Sequence, residues 1–278
     1  MKLSVVIPVY NEAAVLPELT RRARAAALAC DAEAEVILVD DASGDATRAL
    51  APALSDAVVR FVHLAQNRGQ TGATLEGVAH ARGRVVAVLD GDLQDPPEHV
   101  VALYAALAAN PAADVAYAVK RSRRESPGAR AAFALYHALQ AAFGELPLPA
   151  GAGSYCAFRA GLRGGLLARP TSRANLATLL ATGRAPFVAV PYDKDQRAEG
   201  DSRVGAWGLC REALDSLAAT GALRRGALAV AVGLAAGAAA FAPHALRFPT
   251  ATAGAGVGAL AVVLATARER RVAAPAGP

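Results

Sequence analysis

The side chains best suited to chemistry are two aspartates, Asp90 and Asp92, that follow an apolar run in the segment VVAVLDGDLQDPPE. Alternate residues of an extended chain point the same way, so both carboxylates can address one site, with Gly91 letting the backbone turn between them. Gln94 adds a neutral oxygen nearby. Hard oxygen ligands suit Mg²⁺ or Mn²⁺ held jointly with substrate phosphates. The segment therefore predicts a divalent-cation site; a purely structural acidic loop is the alternative.

Polar residues also follow two other apolar runs, in the motifs PVYNE and VDDASGDAT. Asn11 and Glu12 of the first motif could line a site or merely cap the next helix. Asp40 and Asp41 of the second could bind a base or a ribose hydroxyl, or could form an Asx-type turn. A third motif, GQTGAT at 69–74, is a glycine-bearing helix start that can orient backbone amides toward a phosphate.

The elements that position these motifs alternate between apolar runs and helical segments. Strands are predicted at Leu3–Val9, Glu35–Asp40, Val58–Leu64, Val85–Leu89, Val115–Val119, Ser154–Arg159 and Phe187–Tyr192. Helices are predicted at Ala13–Cys30, Asp45–Leu54, Thr71–Ala81, Pro97–Ala109, Ala129–Phe143 and Ser202–Leu217. Strands that are apolar on both faces and separated by helices indicate an α/β fold with a mostly parallel sheet. Ligands of such folds bind at the carboxyl ends of the strands.

Composition excludes several classes of protein. The 278 residues are 54% hydrophobic and only 19% charged, which is not typical of disordered or collagen-like chains. Three scattered cysteines, Cys30, Cys156 and Cys210, form no C-x-x-C pair, so we expect neither a disulfide scaffold nor structural zinc. The net charge is +5, but no basic stripe is interleaved with aromatic residues, and we expect no nucleic-acid partner. The sequence contains neither a P-loop nor a G-x-G-x-x-G motif.

Two uncharged segments near the C-terminal end, 226–242 and 250–267, have 17 and 18 residues. These lengths are at the lower limit for membrane-spanning helices, and a buried hairpin of a soluble domain is the alternative. Arginines flank the outer ends of both segments, which predicts that both termini face the cytosol. We therefore expect a cytosolic domain at 1–222 and a hairpin in the cytoplasmic membrane at 223–278. The N-terminus has no signal-peptide pattern.

Four motifs, PVYNE, VDDASGDAT, QNRGQTGA and DGDLQDPPE, occur here in the order and spacing of a known family. The chain resembles the family 2 glycosyltransferases of the GT-A fold, over roughly residues 3–220. More narrowly, it is similar to the polyprenyl-phosphate glycosyltransferases, the branch that includes dolichol-phosphate mannose synthase and bacterial undecaprenyl-phosphate transferases. DLQDPPE is specific to this branch. The later segment RAEGDS resembles the branch's R-x-x-G-x-S pattern, and GSYCAFR resembles its strand ending in Arg159.

The resemblance implies a role for each matching residue on the donor side. It places four residues in the nucleotide pocket: Pro8, Tyr10, Asn11 and Glu12. It also implies that Asp40 or Asp41 recognises the base of the nucleotide. It assigns the divalent metal and the diphosphate to three residues: Asp90, Asp92 and Gln94.

On the acceptor side, the resemblance assigns Arg197 and Ser202 to the diphosphate or to the phosphate of a lipid acceptor. It also makes Asp92 and Arg197 the catalytic residues. The chain departs from the branch after the fifth strand, where Lys120, which the resemblance assigns to the nucleotide-sugar, replaces the usual arginine. Lysine provides a point charge rather than a bidentate fork, and Arg121 is expected to contribute to this phosphate contact.

The reaction that the resemblance implies is a metal-dependent, inverting transfer of a sugar from a UDP- or GDP-sugar to a polyprenyl phosphate. A phosphate monoester has a second pKa near about 6, so this nucleophile needs little help from a general base. The absence of an obvious catalytic histidine agrees with that chemistry. Transfer to a glycan hydroxyl, nucleotidyl transfer and a non-catalytic membrane scaffold are the alternatives. A homo-oligomer is compatible with the sequence.

Overall fold

The computed structural model describes residues 2–120, 148–149, 151–168 and 175–193. These residues all belong to one of the two compact units into which the chain divides, Met1–Arg124 with Pro147–Glu212. The predicted helices Ala129–Phe143 and Ser202–Leu217, the two uncharged segments and Cys210 lie outside the described residues. Within the described ranges, no helix is long and apolar enough to cross a membrane.

The described strands form one sheet of seven. Their bounds are β1 Leu3–Val9, β2 Glu35–Asp40, β3 Val59–His63, β4 Val85–Val88, β5 Val115–Lys120, β6 Ala152–Arg159 and β7 Phe187–Tyr192. The order across the sheet is β3-β2-β1-β4-β6-β5-β7. Strand β6 runs antiparallel to both of its neighbours, and the remaining described pairs are parallel. The prediction of a mostly parallel α/β sheet is confirmed.

Six helices are described: α1 Leu16–Cys30, α2 Thr47–Leu54, α3 Gly69–His80, α4 His99–Ala109, α5 Arg163–Leu167 and α6 Leu176–Thr182. A short 3₁₀ turn at Ala160–Leu162 precedes α5. Each predicted strand bound lies within two residues of the observed one, whereas α1 begins three residues later than predicted. Helix α1 begins later because a turn follows Glu12, whose carbonyl oxygen accepts hydrogen bonds from the backbone amides of Val15 and Leu16.

Alternate side chains of the central strands enter two separate cores, one on each face of the sheet. In β1, Val5 and Ile7 pack into the core that α1 and α4 cover, whereas Val6 packs into the core that α3 covers. Because both faces are covered, β1 and β2 are buried at every position. This double burial is the physical reason that these strands appear in the sequence as continuous apolar runs.

Helix α3 lies unusually close to the sheet. A Cβ atom at Gly77 would overlap the side chains of Val6 and Val39, so only glycine permits this approach. The close packing holds the start of α3 beside the carboxyl ends of β1 and β2.

Candidate active site

The carboxyl ends of the strands enclose a cleft of about 390 Å³. Four segments contribute to it: the end of β1, the residue after β2, the start of α3 and the loop after β4. The described residues that line the cleft are Pro8, Val9, Tyr10, Glu12, Asp41, Asn67, Gly69, Gln70, Ala73, Asp90, Gly91 and Asp92. The structure therefore brings together four motifs that are separated in the sequence, at the carboxyl ends of the parallel strands.

The charged side chains among the described lining residues are all acidic. Four of the lining side chains, Glu12, Asp41, Asp90 and Asp92, carry carboxylates, and none of the described lining residues is a lysine or an arginine. An anionic ligand such as a diphosphate would be repelled by such a surface unless a cation were bound with it. The donor set of carboxylate and amide oxygens is the one that Mg²⁺ and Mn²⁺ prefer.

Asp90 and Asp92 both line the cleft, as the sequence predicts. Gly91 between them is buried, and a Cβ atom there would lie 2.8 Å from the carbonyl oxygen of Pro8 and 2.9 Å from Cγ1 of Val9. The end of β4 thus packs directly on the end of β1. Glycine at this position is what allows two carboxylates to flank the contact.

Gln94 is not among the described residues that line the cleft, and its role beside Asp90 and Asp92 stays a prediction. Leu93 has a φ of 58°, and the backbone amide of Gln94 donates a 3.1 Å hydrogen bond to Oδ1 of Asp92. This turn redirects the chain before Gln94, so the alternation of an extended strand no longer applies. Within the described ranges, no group of three or more His, Cys, Asp or Glu residues could hold a metal by itself. A cation at Asp90 and Asp92 would need further oxygen ligands, such as those of a substrate diphosphate.

Gln70 is one of two amide side chains, with Asn67, among the described residues that line the cleft. Its Nε2 donates a 2.5 Å hydrogen bond to Oδ1 of Asp90. Sequence reasoning noted the surrounding GQTGAT motif for its backbone amides but did not assign this side chain. Gly69 has a φ of 73°, a conformation that favours glycine and starts α3 with Gln70 in the cleft.

The two adjacent aspartates after β2 have different positions. Asp41 lines the cleft, and its Oδ1 accepts a 2.7 Å hydrogen bond from the backbone amide of Arg68. Asp40 is fully buried and does not line the cleft; its Oδ1 accepts from the amide of Ser43, and its Oδ2 lies 3.0 Å from Nδ1 of His63. Burial alone would raise the pKa of Asp40, but hydrogen bonds from Ser43 and His63 outweigh it, and the net pKa is lowered. Of the two aspartates, only Asp41 is placed to contact a ligand.

Three residues of the PVYNE motif, Pro8, Tyr10 and Glu12, line the cleft as predicted. Tyr10 is 44% exposed. Asn11 does not line the cleft. Its φ is 54°, its Oδ1 accepts a 2.8 Å hydrogen bond from the amide of Gly44, and its own amide donates to Oγ of Ser43.

Asn11 therefore holds the loop that follows Asp41. The backbone amide of Glu12 makes a similar link, a 3.0 Å hydrogen bond to Oγ1 of Thr47 in α2. The alternative in which Asn11 or Glu12 caps the next helix through its side chain is wrong, since the N-cap of α1 is Val15 and no side chain caps it.

Lys120 ends β5, where it pairs with Tyr192 of β7, and it does not line the cleft. Arg121, Arg197 and Ser202 lie outside the described residues. The role assigned to Lys120 in binding the nucleotide-sugar and those assigned to the other three residues on the acceptor side stay predictions.

Two buried tyrosines support the loop that follows Asp92, a feature with no signal in the sequence. The hydroxyl of Tyr192 donates a 2.7 Å hydrogen bond to Oδ1 of Asp95, and that of Tyr155 donates a 2.7 Å bond to the carbonyl oxygen of Pro96. The ring of His99 stacks on Tyr192 with centroids 5.2 Å apart. Burial, together with the charge of Asp95, raises the pKa of Tyr192, so its hydroxyl stays protonated and can donate.

Residues 4–163 match the family described as Glycosyl transferase family 2, which is more than half of the chain. The chain belongs to this family.

The chain is also similar to curated transferases of one kind. The chain is 42% identical, over 128 residues, to an undecaprenyl-phosphate 4-deoxy-4-formamido-L-arabinose transferase from Sodalis glossinidius. The match covers 45% of this chain and 39% of that protein. It is likewise 42% identical, over 127 residues, to the transferase of the same name from Pseudomonas aeruginosa, covering 45% and 37% of the two chains. The chain thus spans about two fifths of the length of these relatives.

Solved structures share the fold. The mannosyltransferase PcManGT from Pyrobaculum calidifontis, in complex with GDP-Man and Mn²⁺, matches with a TM-score of 0.59 and 22% identity, over 99% of this chain and 81% of that chain. Glucosyl-3-phosphoglycerate synthase from Mycobacterium tuberculosis, in complex with Mn²⁺, UDP-glucose and phosphoglyceric acid, matches with a TM-score of 0.59 and 21% identity, over 79% and 80% of the two chains. These matches establish a GT-A-like α/β fold.

Proposed function

We propose that this protein transfers a sugar from a nucleoside-diphosphate sugar to a polyprenyl phosphate, with Mg²⁺ or Mn²⁺ and with inversion at the anomeric carbon. The single observation that carries the proposal is the lining of the cleft by four carboxylates without a described basic residue. Such a site accepts a diphosphate only together with a cation. Family membership and the names of the curated relatives supply the reaction class.

On the donor side, Asp90 and Asp92 would hold the cation from the end of β4, and the diphosphate would complete its coordination. A bound Mg²⁺ or Mn²⁺ would offset the negative charge that builds on the leaving diphosphate. Tyr10 offers an exposed ring to the base, and the carboxylate of Asp41 can accept hydrogen bonds from a base or a ribose. The bound nucleotides of the solved relatives, GDP-Man and UDP-glucose, support either base.

On the acceptor side, a phosphate monoester is largely ionised at neutral pH, with a second pKa of about 6. The acceptor oxygen therefore needs no residue to remove a proton, and the described lining of the cleft contains no histidine that would do so. Direct attack by this oxygen on the anomeric carbon inverts its configuration. Arg121, Arg197 and Ser202 remain the proposed contacts to the acceptor phosphate, with Asp92 and Arg197 the proposed catalytic pair.

A lipid acceptor requires that the cleft lie near a membrane. The uncharged segments 226–242 and 250–267 are the proposed spans, and their flanking arginines would keep both termini on the cytosolic side. We therefore propose the cytoplasmic membrane as the location of the protein. A reporter fused after Pro278 should be active only in its cytosolic form, and a periplasmic signal would contradict the two-span topology.

The activity test uses membranes that contain the full chain, a panel of UDP- and GDP-sugars, Mg²⁺ or Mn²⁺, and polyprenyl phosphate. We expect a lipid-linked sugar to form with at least one donor, to disappear with a chelator and to be lost in Asp92→Asn. The matched control is Asp114→Asn, because Asp114 directly precedes β5 at the amino ends of the parallel strands, whereas the cleft lies at their carboxyl ends. Sugar transfer to a glycan hydroxyl instead of the lipid, or equal turnover in Asp92→Asn, would overturn the proposal.

A further inference from the structure

We propose that Gln70 is a positioning residue that orients the carboxylate of Asp90 toward the cation. This inference rests on the proposed function, because it concerns the cation that Asp90 and Asp92 would hold. Nε2 of Gln70 lies 2.5 Å from Oδ1 of Asp90, and both side chains line the cleft. Holding one oxygen of a carboxylate fixes the rotation of its plane, and therefore the direction in which Oδ2 points.

The backbone that carries Gln70 is itself anchored on two sides. Arg68, two residues before Gln70, donates its backbone amide to Oδ1 of Asp41 at 2.7 Å, and the amide of Gly69 donates to Oδ1 of Asn67 at 3.1 Å. Asn67 in turn donates its Nδ2 to the carbonyl oxygen of Asp41. The start of α3 is thereby fixed to the end of β2, and the close packing at Gly77 fixes the helix to the sheet.

These contacts form a continuous path from Asp41, through the start of α3, to Asp90. The donor side chain is an uncharged amide, which can orient Asp90 without adding a positive charge that would compete with the cation. Hydrogen bonds that orient metal-ligating carboxylates typically change metal affinity by about 10- to 100-fold. Gln70 therefore acts through Asp90 rather than on the metal.

The test compares Gln70→Met, which keeps the length of the side chain and removes the donor, with Gln66→Met, a matched change at an exposed residue of the preceding loop that does not line the cleft. Mn²⁺ is titrated into the purified full chain, with and without UDP or GDP, and free Mn²⁺ is measured by electron paramagnetic resonance. We expect the Kd for Mn²⁺ to rise by about tenfold or more in Gln70→Met and to stay at the wild-type value in Gln66→Met. In turnover, the apparent KM for Mn²⁺ should rise more than kcat at saturating Mn²⁺ falls.

A purely structural role would lower the thermal unfolding midpoint without this shift in Mn²⁺ dependence. Gln70→Ala provides a second variant, since alanine is well tolerated at an exposed helix position. A Kd for Mn²⁺ within twofold of wild type in both variants would overturn the role of Gln70. Failure of the wild-type protein to bind Mn²⁺ with either nucleotide would instead overturn the metal site of the proposed function, so the two failures are distinguishable.

Discussion

The hydroxyl of Tyr192 donates a 2.7 Å hydrogen bond to Oδ1 of Asp95, and both residues are 96% buried. The bond joins the last residue of β7 to the loop that begins with Asp90 and Asp92, across 97 positions of sequence. It therefore fixes the far end of the loop whose near end carries the two cleft carboxylates.

Removing this donor should destabilise the protein. Tyr192→Phe leaves a buried carboxylate without one of its hydrogen bonds, which costs about 1–3 kcal/mol in the free energy of unfolding. Urea denaturation followed by circular dichroism measures the loss. Tyr104→Phe on α4 is the matched control and should change the free energy of unfolding by less than about 0.5 kcal/mol. Equal stability of the two variants would contradict the structural role of the bond.

A methyl group at Gly91 should disturb the site itself. Gly91→Ala places a Cβ atom 2.8 Å from the carbonyl oxygen of Pro8, a backbone atom with little freedom to shift. We expect a loss of about 1–3 kcal/mol in the free energy of unfolding and weaker binding of Mn²⁺ with UDP or GDP. Gly153→Ala in β6 is the control, because nothing lies within 4 Å of a Cβ atom built there. If both variants bind Mn²⁺ equally well, the contact between β1 and β4 does not position the carboxylates.

Asn11 offers a way to separate backbone strain from hydrogen bonding. Asn11→Gly adopts the positive φ of 54° without strain but removes the hydrogen bond to Gly44. Asn11→Ala removes the same hydrogen bond and also strains the backbone. A left-handed conformation costs a residue with a Cβ atom about 1–2 kcal/mol, so Asn11→Ala should be the less stable of the two by about that amount. Both variants should raise the KM for the nucleotide sugar more than they lower kcat. A glycine variant with wild-type KM would show that the bond to Gly44 does not support the cleft.

The carboxyl group of Asp40 makes stability depend on pH in the acid range. Its pKa is lower in the folded protein than in the unfolded chain, so its contribution is fully present above the unfolded value and is lost as pH falls through the folded value. With an unfolded pKa of about 3.9, the free energy of unfolding should decrease below about pH 4. Asp40→Asn cannot titrate, and its stability curve should be flatter in that window, though lower at neutral pH. Parallel curves for the two proteins would show that Asp40 does not carry the acid dependence.

The central strands and their order along the chain could be predicted because a strand that is buried on both faces is a continuous run of apolar residues in the sequence. Leu3–Val9 and Glu35–Asp40 are buried at every position and have the predicted bounds, and the positions of Asp90 and Asp92 follow from the end of β4. Phe187–Tyr192 also has the predicted bounds, although it is only partly buried. Helix starts were less accurate. The start of α1 depends on a turn after Glu12 that is held by Asp45 and Thr47, residues more than thirty positions away.

Which polar residues meet in the cleft was decided only by the tertiary structure. Sequence spacing favoured Gln94 as the amide near Asp90, whereas the packing of α3 also brings Gln70 into contact with Asp90. Likewise, two adjacent aspartates are equivalent in the sequence, yet only Asp41 faces the cleft while Asp40 is buried against His63.

By itself, the sequence determined the α/β layering, the acidic strand end and the family resemblance, because each of these depends on residue types within a short stretch of chain. The tertiary structure decided the insertion of antiparallel β6 between β4 and β5, the bond between Asp95 and Tyr192, and the contact of Gln70 with Asp90. These features join residues that are 20 to 97 positions apart. Their geometry depends on how the helices pack on the sheet, and a local pattern of residues carries no record of that packing.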